Sequence, residues 1–323
     1  MQPQIITEAD IRNAVSFDET SITAVEAAFA GLSGGAKVLM PPVMQITVDA
    51  SHGLTCVKSS YTDGAPYFVV KLASTYHDNH HLGIPASSGL MLICSAATGH
   101  VECILLDNGY LTALRTQAAG AVASRHLARA DARSAGVIGS GRQARLQLTA
   151  IAAVRKLERA AVWSPDVEGC AVFATEMSAQ LGFPVVAVDG AEAAVRGSDI
   201  IVTATPAKAP IIRAEWLSPG QHITAMGADA PGKSELFPDV VAAASRYVCD
   251  SAAQCRTLSD LNAAIAAGAI SADHPVLEIG DVIAGQVAGR TTDRDITVAD
   301  LTGLGVQDTA IALLAWNRIS GRA

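Results

Sequence analysis

Directly after the apolar run Ala135-Gly136-Val137-Ile138, the chain reads Gly139-Ser140-Gly141-Arg142-Gln143-Ala144, a G-x-G-x-x-A loop. No other feature constrains the fold as tightly. The first glycine permits a sharp strand-to-helix turn, the second lets a pyrophosphate approach the backbone, and the small third residue keeps helix and strand close. The helix that follows would present unpaired N–H groups and a partial positive charge to phosphates. An ordinary tight β–α turn could use the same glycines, but the flanking texture favours a dinucleotide site. From about residue 111 the pattern alternates: helix 112–128, strand 135–138, helix 143–156, strand 160–163, helix 171–181, strand 185–188, helix 191–196, then strands 200–204, 222–226 and 247–249. Continuous apolar strands separated by helices predict a parallel, doubly wound α/β sheet covered on both faces.

The first 110 residues differ. Strand-like runs at 54–58, 67–73 and 89–94, broken by Asp63-Gly64, Gly83 and Gly99, predict a mostly β module. One helix, 21–32, precedes it, with Ser21 as its cap and Gly34-Gly35 as its stop. The tail helix, 308–318, lies beyond the last α/β unit and is expected to return to the first module, making that domain discontinuous. With 323 residues and 50% hydrophobic side chains, the chain has enough material for two such domains. A net charge of −8 argues against nucleic-acid or anionic-membrane partners. No apolar stretch is long enough to span a membrane and the first residues are acidic, so a cytoplasmic location is expected. Six cysteines without a CxxC pair read as reduced thiols.

Several side chains invite chemistry. After the second α/β strand, Ser164-Pro165-Asp166 offers an acid and a hydroxyl but no arginine, which favours NAD over NADP while leaving NADP open. Thr205, Met226 and Gly227 stand at the carboxyl ends of later strands, where such sheets bind their ligands, and join Gly139, Gly141, Arg142, Gln143, Ala144, Ser164 and Asp166 as candidate cofactor contacts. Asp229, before Ala230-Pro231-Gly232-Lys233, is either a turn former or a proton-transfer group. Lys71, inside an apolar strand, and Arg115, in the first turns of a helix, each need an anion, either a structural partner or a ligand carboxylate. The tract His77-Asp78-Asn79-His80-His81 matches no zinc spacing and reads as a solvated loop, so no metal is expected. Nucleophile-elbow, P-loop and zincin motifs are missing.

Taken together, Val70-Lys71-Leu72, the stretch from Leu106 to Thr116, the glycine loop, Gly220 to Asp229 and Asp300 to Asp308 resemble the ornithine cyclodeaminase/μ-crystallin family over nearly the whole chain. The wording DNGYLT and DLTGxGVQDTAIA is similar to that of its ectoine-utilisation members. The resemblance implies a Rossmann dinucleotide-binding domain at 129–299 and a discontinuous α+β substrate-binding and dimerisation domain at 1–128 and 300–323. It implies a homodimer and NAD(P)-linked chemistry at a carbon–nitrogen bond beside a carboxylate. Lys71 and Arg115 match the positions that hold the substrate carboxylate, with Lys71 also a catalytic candidate, and Asp229 matches the acid/base position. Most members carry a third anchoring arginine where this chain has Gln45, which implies a changed substrate or compensation by Lys58 or another cation. The activity so implied is imine reduction on a small α-imino acid, iminosuccinate to aspartate in ectoine breakdown being one case. Ornithine cyclodeamination and a non-catalytic dinucleotide-binding role are the alternatives.

Overall fold

A computed structural model describes residues 2–35 and 37–321. The chain forms two compact units, Met1–Ala118 with Leu304–Ala323, and Ala119–Gly303. These divide inside a helix and just after a strand, at 118 and 303, where the resemblance implies joins at 128 and 300.

In unit 1 the elements run β1 (Gln4–Thr7), α1 (Glu8–Ala14), α2 (Glu19–Ser33), β2 (Val38–Leu39), β3 (Met44–Val48), β4 (Gly53–Thr62), β5 (Tyr67–Tyr76), β6 (Ser87–Ser95), β7 (Val101–Leu106) and the first half of α3 (Tyr110–Leu127). Two helices lie between β1 and the remaining strands of the sheet, where one helix ahead of the strands was expected. The cap of α2 is Asp18, which accepts from the Ser21 N–H at 2.9 Å, and not Ser21 itself, which lies inside the helix. A carboxylate gains more than a hydroxyl at the positive end of a helix, so the helix starts earlier than the apolar spacing indicates. The sheet order is β1-β7-β6-β5-β4-β2, with β3 also pairing β4.

One face of this sheet is core: Val69, Met91, Ile93 and Leu105 pack with Leu111 and Leu114 of α3 and with Ile311, Ala315 and Trp316 of the last helix, α11 (Gly305–Ser320). The unit is thus closed by residues nearly two hundred positions beyond α3, and α11 begins three residues before the expected 308. On the opposite face, register aligns Met44, Val57, Leu72 and Leu90 across four strands. Met44 and Leu72 are 55% and 38% exposed there, and Ile46 is 52% exposed.

Unit 2 runs β8 (Ser134–Ile138), α4 (Arg142–Val154), β9 (Arg159–Trp163), α5 (Val167–Leu181), β10 (Val185–Ala187), α6 (Ala191–Val195), β11 (Ile200–Thr203), β12 (His222–Ala225), α7 (Pro238–Ala243), β13 (Arg246–Cys249), α8 (Ala252–Cys255), α9 (Asp260–Ala266), β14 (Leu277–Glu278), α10 (Ile279–Ile283) and β15 (Thr297–Asp300). The eight strands pair in parallel in the order β10-β9-β8-β11-β12-β15-β13-β14. Neighbouring residues feed opposite cores: Val137 packs with Leu148 and Phe173, Ile138 with Ile223 and Val240. That two-sided burial is why the strands read as unbroken apolar runs. The sequence pattern gave no element to β15, a four-residue strand ending in Asp300 that inserts between β12 and β13. Among the described residues, no helix is long and apolar enough to cross a membrane, and none of the six cysteines is in a disulfide.

Candidate active site

In unit 1 the turn Asp107-Asn108-Gly109 sets the start of α3. Asn108 and Gly109 adopt left-handed backbone, φ 49° and 78°, and buried Asp107 accepts from the Leu111 N–H at 2.8 Å. Asparagine and glycine tolerate that conformation best, which explains the DNG wording. The helix so begun carries Arg115. Opposite it, α11 lies against β4 because Gly305 has no side chain; a Cβ there would fall 2.4 Å from the Ser59 carbonyl oxygen. This close approach brings Asp308, in the first turn of α11, onto the cations. Asp308 Oδ2 lies 2.7 Å from Lys71 Nζ and Oδ1 lies 3.0 Å from Arg115 Nε. All three are buried, at 2%, 8% and 1% exposure for Lys71, Arg115 and Asp308.

Burial of an ammonium is costly, and it pulls Lys71 down from 10.5 to about 7; Asp308 opposes this, while Arg115 and Lys58 add to it. Burial pushes the Asp308 carboxyl up, but Lys71 and Arg115 outweigh it and hold the group below the ordinary range. Asp107 is pushed up by burial, against its backbone N–H donors. Lys58 stands directly across from Lys71 in register, and Gln45 is opposite Cys56, two residues along β4. All four side chains therefore share one face of the sheet. Half-buried Gln45 thus lies on the face that carries the cations.

In unit 2 the glycine loop has the geometry of an anion cradle. Gly139 takes φ 112°, its N–H donates to Trp163 O at 2.8 Å, and a Cβ would lie 2.7 Å from Ala204 O. Gly141 is the N-cap of α4; no side chain caps that helix, and a Cβ at Gly141 would meet nothing within 4 Å. The first-turn N–H groups of α4 are therefore without a side-chain cap. Gln143 Oε1 is buried without a partner among the described residues, Arg142 is exposed at the loop, and Ala144 is fully buried against the sheet. An uncapped helix start, open space over a glycine and an orphan polar atom fit a bound pyrophosphate. Ser164 Oγ bonds Ser140 Oγ at 2.9 Å, tying the end of β9 to the loop. Asp166 is exposed and caps α5, accepting from the Gly169 N–H at 2.9 Å.

Beyond β11 and β12, Thr205 and Gly227 are brought together on Glu235, a fully buried carboxylate that sequence reasoning missed. Met226 is half-buried beside Gly227. Asp229 stands four residues past β12, half exposed, with Lys233 Nζ at 2.7 Å from Oδ1. Burial raises Glu235 to about 7, a shift that Thr203 opposes and Asp260 reinforces. Asp308 was missed too, although it falls in the quoted GVQD wording. Its signal was a lone carboxylate on the buried stripe of an apolar helix; Glu235, between Ser234 and Leu236, had none. The histidine tract forms a short 3-10 turn in which Asp78 Oδ2 meets His52 Nδ1 at 2.9 Å.

A dinucleotide cradle on a doubly wound sheet, with a separate α+β unit that buries two cations on one carboxylate, defines a class of NAD-dependent proteins. The match to the ornithine cyclodeaminase/mu-crystallin family extends over residues 1–323, and the chain belongs to that family. It is 45% identical over 320 residues to an uncharacterized cyclodeaminase of Sinorhizobium fredii, covering 99% of this chain and 97% of that one. The Δ1-pyrroline-2-carboxylate reductase of Thermococcus litoralis, solved with NADH and L-proline, superimposes with a TM-score of 0.91 at 32% identity, covering 98% of each chain. The iminosuccinate reductase of Paracoccus denitrificans, solved with NAD+, gives 0.89 at 31% identity, covering 100% of this chain and 98% of that one.

Proposed function

We propose that this chain is an NAD(P)H-dependent imine reductase that converts a small α-imino acid to the amino acid. The observation that carries this reading is the Lys71–Arg115 pair buried on Asp308, a cation site that can bind a substrate carboxylate through charge-assisted hydrogen bonds. The cradle from Gly139 to Ala144 would hold the dinucleotide, which supplies a hydride to the imine carbon. Lys71 and Arg115 hold the carboxylate and keep positive charge where the imine is polarised. Asp229 holds the proton that the nitrogen requires, and Lys233 keeps that carboxylate oriented. The balance is imino acid, NADH and one proton giving amino acid and NAD+.

Iminosuccinate is the lead substrate, supported by the likeness to the Paracoccus enzyme and by the ectoine-type wording around Asp107 and Asp308. NAD is preferred to NADP: Asp166 and Glu168 follow β9, and two carboxylates repel a 2′-phosphate. A homodimer is the assembly, because the apolar row of Met44, Val57, Leu72 and Leu90 is suited to a second copy. Leu72→Glu is expected to convert the dimer to monomer in sedimentation; a monomeric wild type would refute the assembly. The reaction is tested by generating imino acids with an amino-acid oxidase and following NADH. One NADH consumed per amino acid formed is expected, and no consumption with any imino acid would overturn the assignment. Ornithine cyclodeamination is the second reading, favoured by the 45% identity to the Sinorhizobium protein. It would release ammonia with no net change in NADH.

A further inference from the structure

We propose that Glu235 is a positioning residue that fixes the loop carrying Asp229 by tying together the ends of β11 and β12; this rests on the role given to Asp229 above. Both of its oxygens are used. Oε1 accepts from the Thr205 N–H at 2.7 Å and the Thr205 hydroxyl at 2.8 Å, and Oε2 accepts from the Gly227 N–H at 2.7 Å and the Thr203 hydroxyl at 2.6 Å. Thr205 and Gly227 lie just past their strands, where the ladder of parallel hydrogen bonds has run out. The carboxylate replaces the missing rungs. Gly227 is required by the same contact, since a Cβ would sit 2.3 Å from Thr205 O and 2.4 Å from Glu235 Oε1.

Glu235 is itself pinned. Asp260 Oδ1 accepts from the Glu235 N–H at 2.8 Å, the Leu236 N–H at 3.0 Å and the Ser234 hydroxyl at 2.9 Å, and the Glu235 carbonyl accepts from the Ile211 N–H at 2.7 Å. The Gly227–Glu235 bond therefore closes the base of a loop, residues 228–234, whose tip holds Asp229 and Lys233. Ala228 and Ala230 are buried on either side of Asp229, so a shift at the base is passed to the tip. Glu235 never touches Asp229; it acts through the backbone.

Glu235→Gln is the test. The amide keeps the shape but turns one oxygen into an NH2 that must face the N–H of either Thr205 or Gly227, donor against donor. Hydrogen–deuterium exchange on the ligand-free protein is expected to be at least ~10-fold faster in residues 226–234 than in wild type, with residues 134–138 unchanged. Turnover is expected to fall ~10- to ~100-fold while the KM for the imino acid stays near wild type, because a small misplacement of a reacting group costs rate more than binding. Thr203→Val, which removes one of the four donors, should move both readouts the same way by less, and it decides the matter if Glu235→Gln does not fold. Unchanged exchange in 226–234 would overturn the clamp. Faster exchange with wild-type kcat and KM would overturn the positioning role, leaving a purely structural one. If wild-type protein reduces no imino acid, the functional assignment fails, and exchange alone then decides the clamp.

Discussion

In unit 1 the buried Asp308 carboxylate meets two side-chain cations, Lys71 and Arg115, whereas in unit 2 the buried Glu235 carboxylate meets none and is held by two hydroxyls and two backbone N–H groups. The difference separates two uses of a buried acid. Where cations outnumber the carboxylate, burial stores positive charge that an incoming anion can complete. Where neutral dipoles saturate the carboxylate, nothing is left over for a ligand, and the group can only hold backbone in place. The first cluster thus supports the substrate role proposed for it, and the second the role of scaffold.

The largest expected effect breaks this contrast from the cationic side. Lys71→Met fills the same volume without charge and leaves Asp308 with Arg115 alone. kcat/KM for the imino acid should fall by ~10³, the upper range for loss of one electrostatic anchor, with NADH affinity by fluorescence near wild type. An unchanged kcat/KM would mean that Lys71 only supports the fold. Asp229→Asn comes next. Turnover should fall by ~10² or more with substrate KM little changed, since an amide cannot hold or release the proton. Retained turnover would remove Asp229 from the chemistry and make it the turn former its Pro-Gly context also permits.

The same contrast marks what was legible in the sequence. The parallel sheet could be read because two-sided burial writes strands as apolar runs, and Gly139 because its left-handed backbone and the close Ala204 carbonyl demand glycine there. Lys71 and Arg115 stood out as charges among apolar neighbours. Their partner did not, because contact between Asp308 and residues 71 and 115 depends on packing of α11 on β4 that no local spacing encodes. Glu235 was hidden for the same reason: its donors come from Thr203, Thr205 and Gly227, eight to thirty-two residues upstream. The strand β15 escaped because its four residues mix Thr297 and Asp300 with two apolar side chains. Ser21 was misread as a cap because Asp18, three residues earlier, lies outside the apolar period that marked the helix.

The smallest expected effect concerns pH, and it separates binding from folding in one residue. Burial holds Lys71 at about 7 in the folded protein against 10.5 as its ordinary value. As pH rises through 7 the ammonium is lost from a group set against Asp308, Arg115, Lys58 and Asp107. The substrate carboxylate then loses one cation, so KM should rise with pH above 7, with kcat far less affected. Stability moves the other way. Between about 7 and 10.5 the unfolded chain binds the proton that the folded chain has released, so this group makes unfolding harder as pH rises. Lys71→Met should flatten both slopes, read by KM and by urea unfolding across the same pH series. A wild-type KM that is level across that range would show Lys71 still protonated there, and would make the unit 1 cluster a fixed ion pair no more open to ligand than Glu235.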